Sequence, residues 1–148
     1  MPRPDWDKIW MEIAKIIAQR SVCKHWKVGA VFVKENRILA VGYNGPPRGE
    51  PHCFEVGCAK EKDGKVLPSG SGLCRGAHAE INAITNAAKE GIHLKGCKVY
   101  CTYTPCYDCA KALINLEITE YVYLKKFPYF DPQGAELFRR RGIIFRKF

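Results

Sequence analysis

Apolar residues recur at Trp6, Ile9, Trp10, Ile13, Ile16 and Ile17, a three-to-four spacing that predicts an amphipathic helix over 5–20 with an acidic, capped start. The period then changes. Two short apolar runs, 28–33 and 37–43, flank the polar Lys34-Glu35-Asn36 and predict a β-hairpin. Over residues 44–76 the pattern dissolves into prolines, glycines and charges, a length that is unusual inside a compact domain unless something orders it. Regularity returns with an Ala- and Ile-rich helix over 77–90 that stops near Gly91, then a buried strand at 97–103 and a helix over 105–116. A strand at 121–124, a short helix over 133–141 and a last strand at 143–145 complete the chain. A βαβαβ run after a hairpin calls for an α/β fold, a mixed sheet with helices on both faces, here a three-layer α/β/α sandwich.

Composition narrows the class. At 148 residues the chain suits one domain, 1–148, with the irregular stretch at about 44–76 as an insertion. Its 47% hydrophobic and 26% charged residues suit a globular protein, and no apolar run nears the roughly 18 residues of a membrane span. Met1-Pro2-Arg3-Pro4-Asp5-Trp6 places prolines and charges where a signal peptide would be apolar, so the expected compartment is the cytoplasm, with no membrane partner. In that compartment eight cysteines point to metal rather than to disulfides.

The net charge of +9 favours an anionic partner. Residues 125–148 hold seven basic and two acidic residues, a local +5. Arg139-Arg140-Arg141, at the end of a predicted helix, complements that helix's dipole. No interleaved aromatics form a stacking platform beside this charge, which disfavours nucleic acid as the partner.

The sharpest chemistry lies in His78-Ala79-Glu80 and Pro105-Cys106-Tyr107-Asp108-Cys109. Cys106 and Cys109, three apart at the head of a predicted helix, share one face and can grip one ion. Pro105 suits the first helical position, and the free amides there favour thiolates. His78 supplies a third ligand, and three protein ligands leave a zinc ion one open position, the mark of a catalytic rather than a structural site. Residues two apart in a regular helix diverge, so His78 and Glu80 converge only if His78 sits at an irregular helix start, which Gly76 just upstream favours. The two motifs together resemble the signature of zinc-dependent nucleobase deaminases, in which zinc lowers the pKa of water and the glutamate, here Glu80, carries protons to the ring nitrogen and to departing ammonia.

Longer matches sharpen this resemblance. Lys27-Val28-Gly29-Ala30-Val31, Gly42-Tyr43-Asn44-Gly45, His78-Ala79-Glu80-Ile81-Asn82-Ala83-Ile84 and Thr104-Pro105-Cys106-Tyr107-Asp108-Cys109-Ala110-Lys111 resemble the deoxycytidylate deaminase family over about residues 21–141. The resemblance implies a cytidine deaminase-like fold with a five-stranded mixed sheet, and hydrolysis of dCMP to dUMP and ammonia. It also implies a homo-oligomer, commonly a hexamer, with dCTP and dTTP as effectors in many members. By the same resemblance Asn44 contacts the nucleotide, the backbone of Ala79 meets the base, and Tyr129, just before Asp131-Pro132, borders the substrate. A phosphate requires a cation, and Lys24, Lys27, Arg48 and Lys89 lie in or beside the matched motifs; Lys27 joins Asn44, Ala79 and Tyr129 in the expected substrate-binding set.

Of the remaining cysteines, Cys23, Cys53, Cys58 and Cys74 lie outside the predicted elements, three of them in the insertion, which a second, structural zinc would order. The resemblance implies such a site, and the neighbouring His25 and His52 leave open a set of three cysteines and a histidine. Cys97 and Cys101 read as small buried hydrophobes, and His93 as an exposed loop residue. Two other functions remain at this point: a tRNA adenosine deaminase with the same zinc machinery, and a non-catalytic zinc-stabilised module binding nucleic acid through the basic C-terminus.

Overall fold

The computed structural model describes residues 2–148. Helix α1 (Trp6–Ala18) opens on an Asp5 cap, whose carboxylate accepts the Lys8 amide at 2.8 Å. Strands β1 (Gly29–Lys34) and β2 (Arg37–Tyr43) form the expected hairpin. Its two-residue turn puts Glu35 and Asn36 at φ 52° and 58°, the doubly left-handed geometry that matches strand twist.

The aperiodic stretch resolves into a short helix α2 (Cys53–Val56) and a small hairpin of β3 (Glu61–Lys62) and β4 (Lys65–Val66). Gly45 and Ala77 exchange backbone hydrogen bonds of 3.2 and 2.8 Å and close the base of this excursion. Helix α3 (Ala79–Lys89), β5 (Lys98–Tyr103), α4 (Tyr107–Asn115), β6 (Glu120–Lys125), α5 (Pro132–Arg140) and β7 (Ile144–Lys147) follow.

The main sheet has the order β2-β1-β5-β6-β7, antiparallel through β5 and parallel from β5 to β7, as the βαβαβ pattern requires. Strand alternation divides the core. Val31, Val33, Tyr100 and Val122 meet Trp10, Met11 and Ala14 of α1 on one face, while Ala30, Phe32, Val99, Cys101 and Tyr121 meet α3, α4 and α5 on the other. This is the expected three-layer α/β/α sandwich around a five-stranded mixed sheet.

Helix α3 lies unusually close to the sheet because its inward positions are Ala79, Ala83 and Ala87 and the facing strand residue is Gly42. Two asparagines four apart, Asn82 and Asn86, donate to the Tyr43 and Val41 carbonyls on the edge strand at 2.8 and 2.9 Å. They satisfy the open edge and fix the rotation of α3, so the first turn of that helix is held at one end of the sheet.

The chain ends are joined electrostatically. Arg146 on β7 bonds both Glu120 of β6 and Asp7 of α1, the latter at 2.6 Å, and Asp7 also accepts the Tyr100 hydroxyl at 2.5 Å. Burial alone would raise the Asp7 carboxyl, but the Tyr100 hydroxyl and Arg146 outweigh it and hold it below its ordinary range. A depressed carboxylate adds stability above its unfolded pKa, near 3.9, and loses it as pH falls through the lower folded value. Arg146→Met is therefore expected to lower the thermal midpoint at pH 7 by about 3–6 °C, the size of a partly exposed charged network. The gap between variant and wild type should narrow below about pH 4; equal midpoints at pH 7 would refute this role.

Candidate active site

In open sheets the crevice beyond the carboxyl ends of parallel strands is where helix N-termini gather, and the site forms there, past β5. Both α3 and α4 begin one residue after a candidate ligand. His78 (φ −72°, ψ 155°) and Cys106 (φ −75°, ψ 167°) are extended N-caps, not helical residues. The predicted starts at 77 and 105 are thus each about two residues early, because the side chains that turn toward the site occupy the cap, where the backbone is not yet helical. The convergence of His78 and Glu80 follows from this, as the irregular helix start anticipated.

Cys106 Sγ lies 3.3 Å and Cys109 Sγ 3.4 Å from His78 Nδ1, and Cys106 Sγ also accepts the Cys109 amide at 3.3 Å. Among the described residues, these three are the group whose ligand atoms all fall within 4.8 Å of one another. A tetrahedral zinc with ordinary bond lengths of about 2.0 Å to nitrogen and 2.3 Å to sulfur separates those atoms by roughly 3.5 Å, so the trio fits the ion. Its electrostatics fit as well. The Cys109 hydrogen bond, helped by His78, pulls the Cys106 thiol down to about 4, while the bond to that thiolate and burial push the Cys109 thiol up. A bound dication would favour both sulfurs as thiolates.

Glu80, on the first turn of α3, is 4% exposed. Burial raises its carboxyl pKa above the ordinary value, against the partly compensating charge of His78. Its carboxylate accepts the Cys101 thiol at 3.3 Å. Cys101 is fully buried on β5, and burial first, then the Glu80 charge, keep it a thiol. Read from the sequence as a core filler, Cys101 also serves as a donor beneath the carboxylate. No local pattern separates these roles, since the contact spans β5 and α3.

A cavity of about 480 Å³ opens onto this centre and is walled by Trp26, Tyr103, Phe127 and Tyr129. The aromatic rings form one cluster, with centroids of Trp26 and Phe127 at 4.9 Å and of Trp26 and Tyr129 at 5.8 Å. Of the expected substrate set, Asn44, Ala79 and Tyr129 border this cavity. Asn44 spends its amide on the backbone, accepting the Val28 N–H at 2.8 Å and donating to the Trp26 carbonyl at 2.9 Å, so it holds the Trp26 wall in place. The Tyr129 hydroxyl donates to the Val66 carbonyl at 3.2 Å and ties the insertion hairpin to the far wall.

Lys27, the fourth residue of that set, is exposed and is not among the residues bordering the cavity. Arg48 and Lys89 border a separate cavity with Arg20 and His52. Cys23, Cys53, Cys58 and Cys74 all border the active-site cavity, yet they do not close into a ligand cluster of the kind His78, Cys106 and Cys109 form. His93 is exposed after α3, as expected, and His25 Nε2 is 2.7 Å from Glu61.

The chain matches the family model described as the cytidine and deoxycytidylate deaminase zinc-binding region over residues 4–125. It is 35% identical to the deoxycytidylate deaminase of Saccharomyces cerevisiae over 99% of its own length, but spans only 46% of that protein. With the deoxycytidylate deaminase of Mycobacterium phage D29 it shares 40% identity, over 85% of this chain and 99% of the phage enzyme. The crystal structure of dCMP deaminase from the cyanophage S-TIM5 in complex with dCMP and dUMP superposes over the full length of both chains with a TM-score of 0.81 at 30% identity. Fold, motif spacing and a family match covering most of the sequence thus agree, and the chain belongs to the cytidine and deoxycytidylate deaminase zinc-binding family.

Proposed function

We propose that this protein hydrolyses dCMP to dUMP and ammonia, with His78, Cys106 and Cys109 holding one zinc ion and Glu80 moving the protons. The observation that carries this reading is the three-ligand cluster, with His78 Nδ1 at 3.3 and 3.4 Å from the two sulfurs, beside a buried glutamate that is not needed as a ligand. When bound, zinc lowers the pKa of water and so supplies a nucleophile at neutral pH. Glu80 takes the proton of the attacking water, passes it to N3 of the cytosine, and returns protons to the departing amine. The backbone of Ala79 at the head of α3 serves the base edge, and the Trp26, Phe127 and Tyr129 rings shield the site from bulk water. The deoxycytidylate names of the relatives, and the dCMP and dUMP in the cyanophage complex, support a cytosine deoxynucleotide over a tRNA.

A second zinc held by Cys23, Cys53, Cys58 and Cys74 belongs to the same proposal. All four cysteines border one cavity, as does His25, whereas His52 borders the other, and the preference of a closed structural zinc site for thiolates favours the all-cysteine set. A cytoplasmic homo-oligomer, such as a hexamer, regulated by dCTP and dTTP completes the reading. The cavity bordered by Arg20, Arg48 and Lys89 offers a triphosphate three cations.

Ammonia release from dCMP, deoxycytidine, dCTP and a tRNA, with metal analysis on the same preparation, tests the core of this proposal. The expected result is preference for dCMP with two zinc ions per chain, activity lost on chelation and restored by zinc. Turnover that survives complete metal removal, or a clear preference for tRNA, would reject it.

A further inference from the structure

The insertion contributes a side chain that the metal reading does not use. Lys60 is 7% exposed, which is rare for a lysine, and borders the active-site cavity. Its Nζ stands 5.5 Å from the centre of the Trp26 ring. Among the described residues no ion pair includes it. A cation–π contact is a modest attraction, and a lysine so largely buried normally has an anion beside its ammonium.

The other cations of the cavity are already engaged. Lys24 Nζ lies 3.8 Å from Glu61, and Arg75 donates to the Gly57 carbonyl at 2.6 Å. Lys60 lies in the turn that leads into β3, and Glu61, the first residue of that strand, meets Lys24 and His25. The Lys60 backbone is held there by the hairpin, through the Leu67 amide on the Lys60 carbonyl at 3.0 Å, and the Tyr129 hydroxyl clamps the same hairpin.

We propose that Lys60 binds the 5′-phosphate of the substrate and thereby sets the preference for a nucleoside monophosphate over the nucleoside. The phosphate is the anion that Lys60 lacks, and the contact with Trp26 places its ammonium on the same cavity as the metal ligands. The inference rests on the reading of a cytosine nucleotide as substrate. It gives the insertion a role in recognition in addition to any metal it holds.

The test is steady-state kinetics on dCMP and deoxycytidine for wild type, Lys60→Met and Lys60→Arg, with zinc content and thermal midpoint measured on each. Lys60→Met is expected to lower kcat/KM for dCMP by about 10- to 100-fold, mostly through KM, the usual effect of removing one charged hydrogen bond. Turnover of deoxycytidine should stay within about threefold, zinc content should be unchanged, and Lys60→Arg should recover most of the loss. Lys60→Gln repeats the measurement if the Met variant does not fold. An unchanged ratio of dCMP to deoxycytidine efficiency overturns the assignment, as does a variant that loses zinc, which would make Lys60 a counter-charge for the cysteines. If wild type itself does not prefer dCMP to deoxycytidine, the underlying substrate reading fails instead.

Discussion

Glu80→Gln is expected to leave a folded protein that keeps its zinc and deaminates dCMP about 10²- to 10⁴-fold more slowly, the range ascribed to a positioned acid–base group. The amide has nearly the shape of the carboxylate and can still accept the Cys101 thiol, now 3.3 Å from Glu80, so packing around α3 is preserved. What it cannot do is carry a proton from water to ring nitrogen and leaving amine. Glu80 is almost fully buried, so bulk buffer has poor access to replace it. Ammonia release under saturating dCMP, together with zinc analysis and the thermal midpoint, gives the answer. A variant within tenfold of wild type would remove Glu80 from the chemistry, and one that lost its zinc would show that the residue holds the metal site together.

The second large effect is expected from a single methyl group on β2. In Gly42→Ala the new Cβ would stand 2.3 Å from the Ala79 carbonyl oxygen and 2.4 Å from the Ala83 amide nitrogen, both backbone atoms of α3. Real contacts of this kind do not fall below about 3 Å, so helix and strand must part by the better part of an ångström. The expected cost is about 1–3 kcal/mol of stability, as for other overpacked sites. Because Ala79 and Glu80 form the first turn of α3, the same movement displaces the proton carrier, and misplacement on that scale costs roughly 10²-fold in rate. Gly29→Ala is the matched comparison. Its Cβ would meet the Ala14 carbonyl at 2.2 Å and the Ala18 amide at 2.6 Å, on α1 across the sheet from the site, so stability should fall without an equal loss of turnover. Wild-type melting and activity in Gly42→Ala would refute the close packing of α3 on β2.

Periodicity carried much of the fold. The spacing of Trp6, Ile9, Trp10 and Ile13 foretells α1, and the hairpin and the alternating βαβαβ order foretell a mixed sheet with two covered faces, since each is a local pattern repeated over a few residues. The metal trio was legible for a similar reason: Cys106 and Cys109 lie within one turn, and His78 and Glu80 within one helix start. The insertion was not. Its β3–β4 hairpin is only two residues per strand, below the length at which alternation registers, and its turn at Asp63 and Gly64 has no apolar runs beside it to mark it.

What the sequence by itself determined is therefore the elements of the main sheet and its covering helices, the family resemblance, and the trio His78, Cys106 and Cys109 that can hold a metal. Only the tertiary structure decided that Cys101 lies beneath Glu80, that Lys60 borders the cavity, and that Gly42 admits α3 to the sheet. Each of these depends on contacts between residues distant along the chain. A helix or strand is specified by neighbours a few residues apart, whereas the atom on the far side of such a contact is chosen by how whole elements pack.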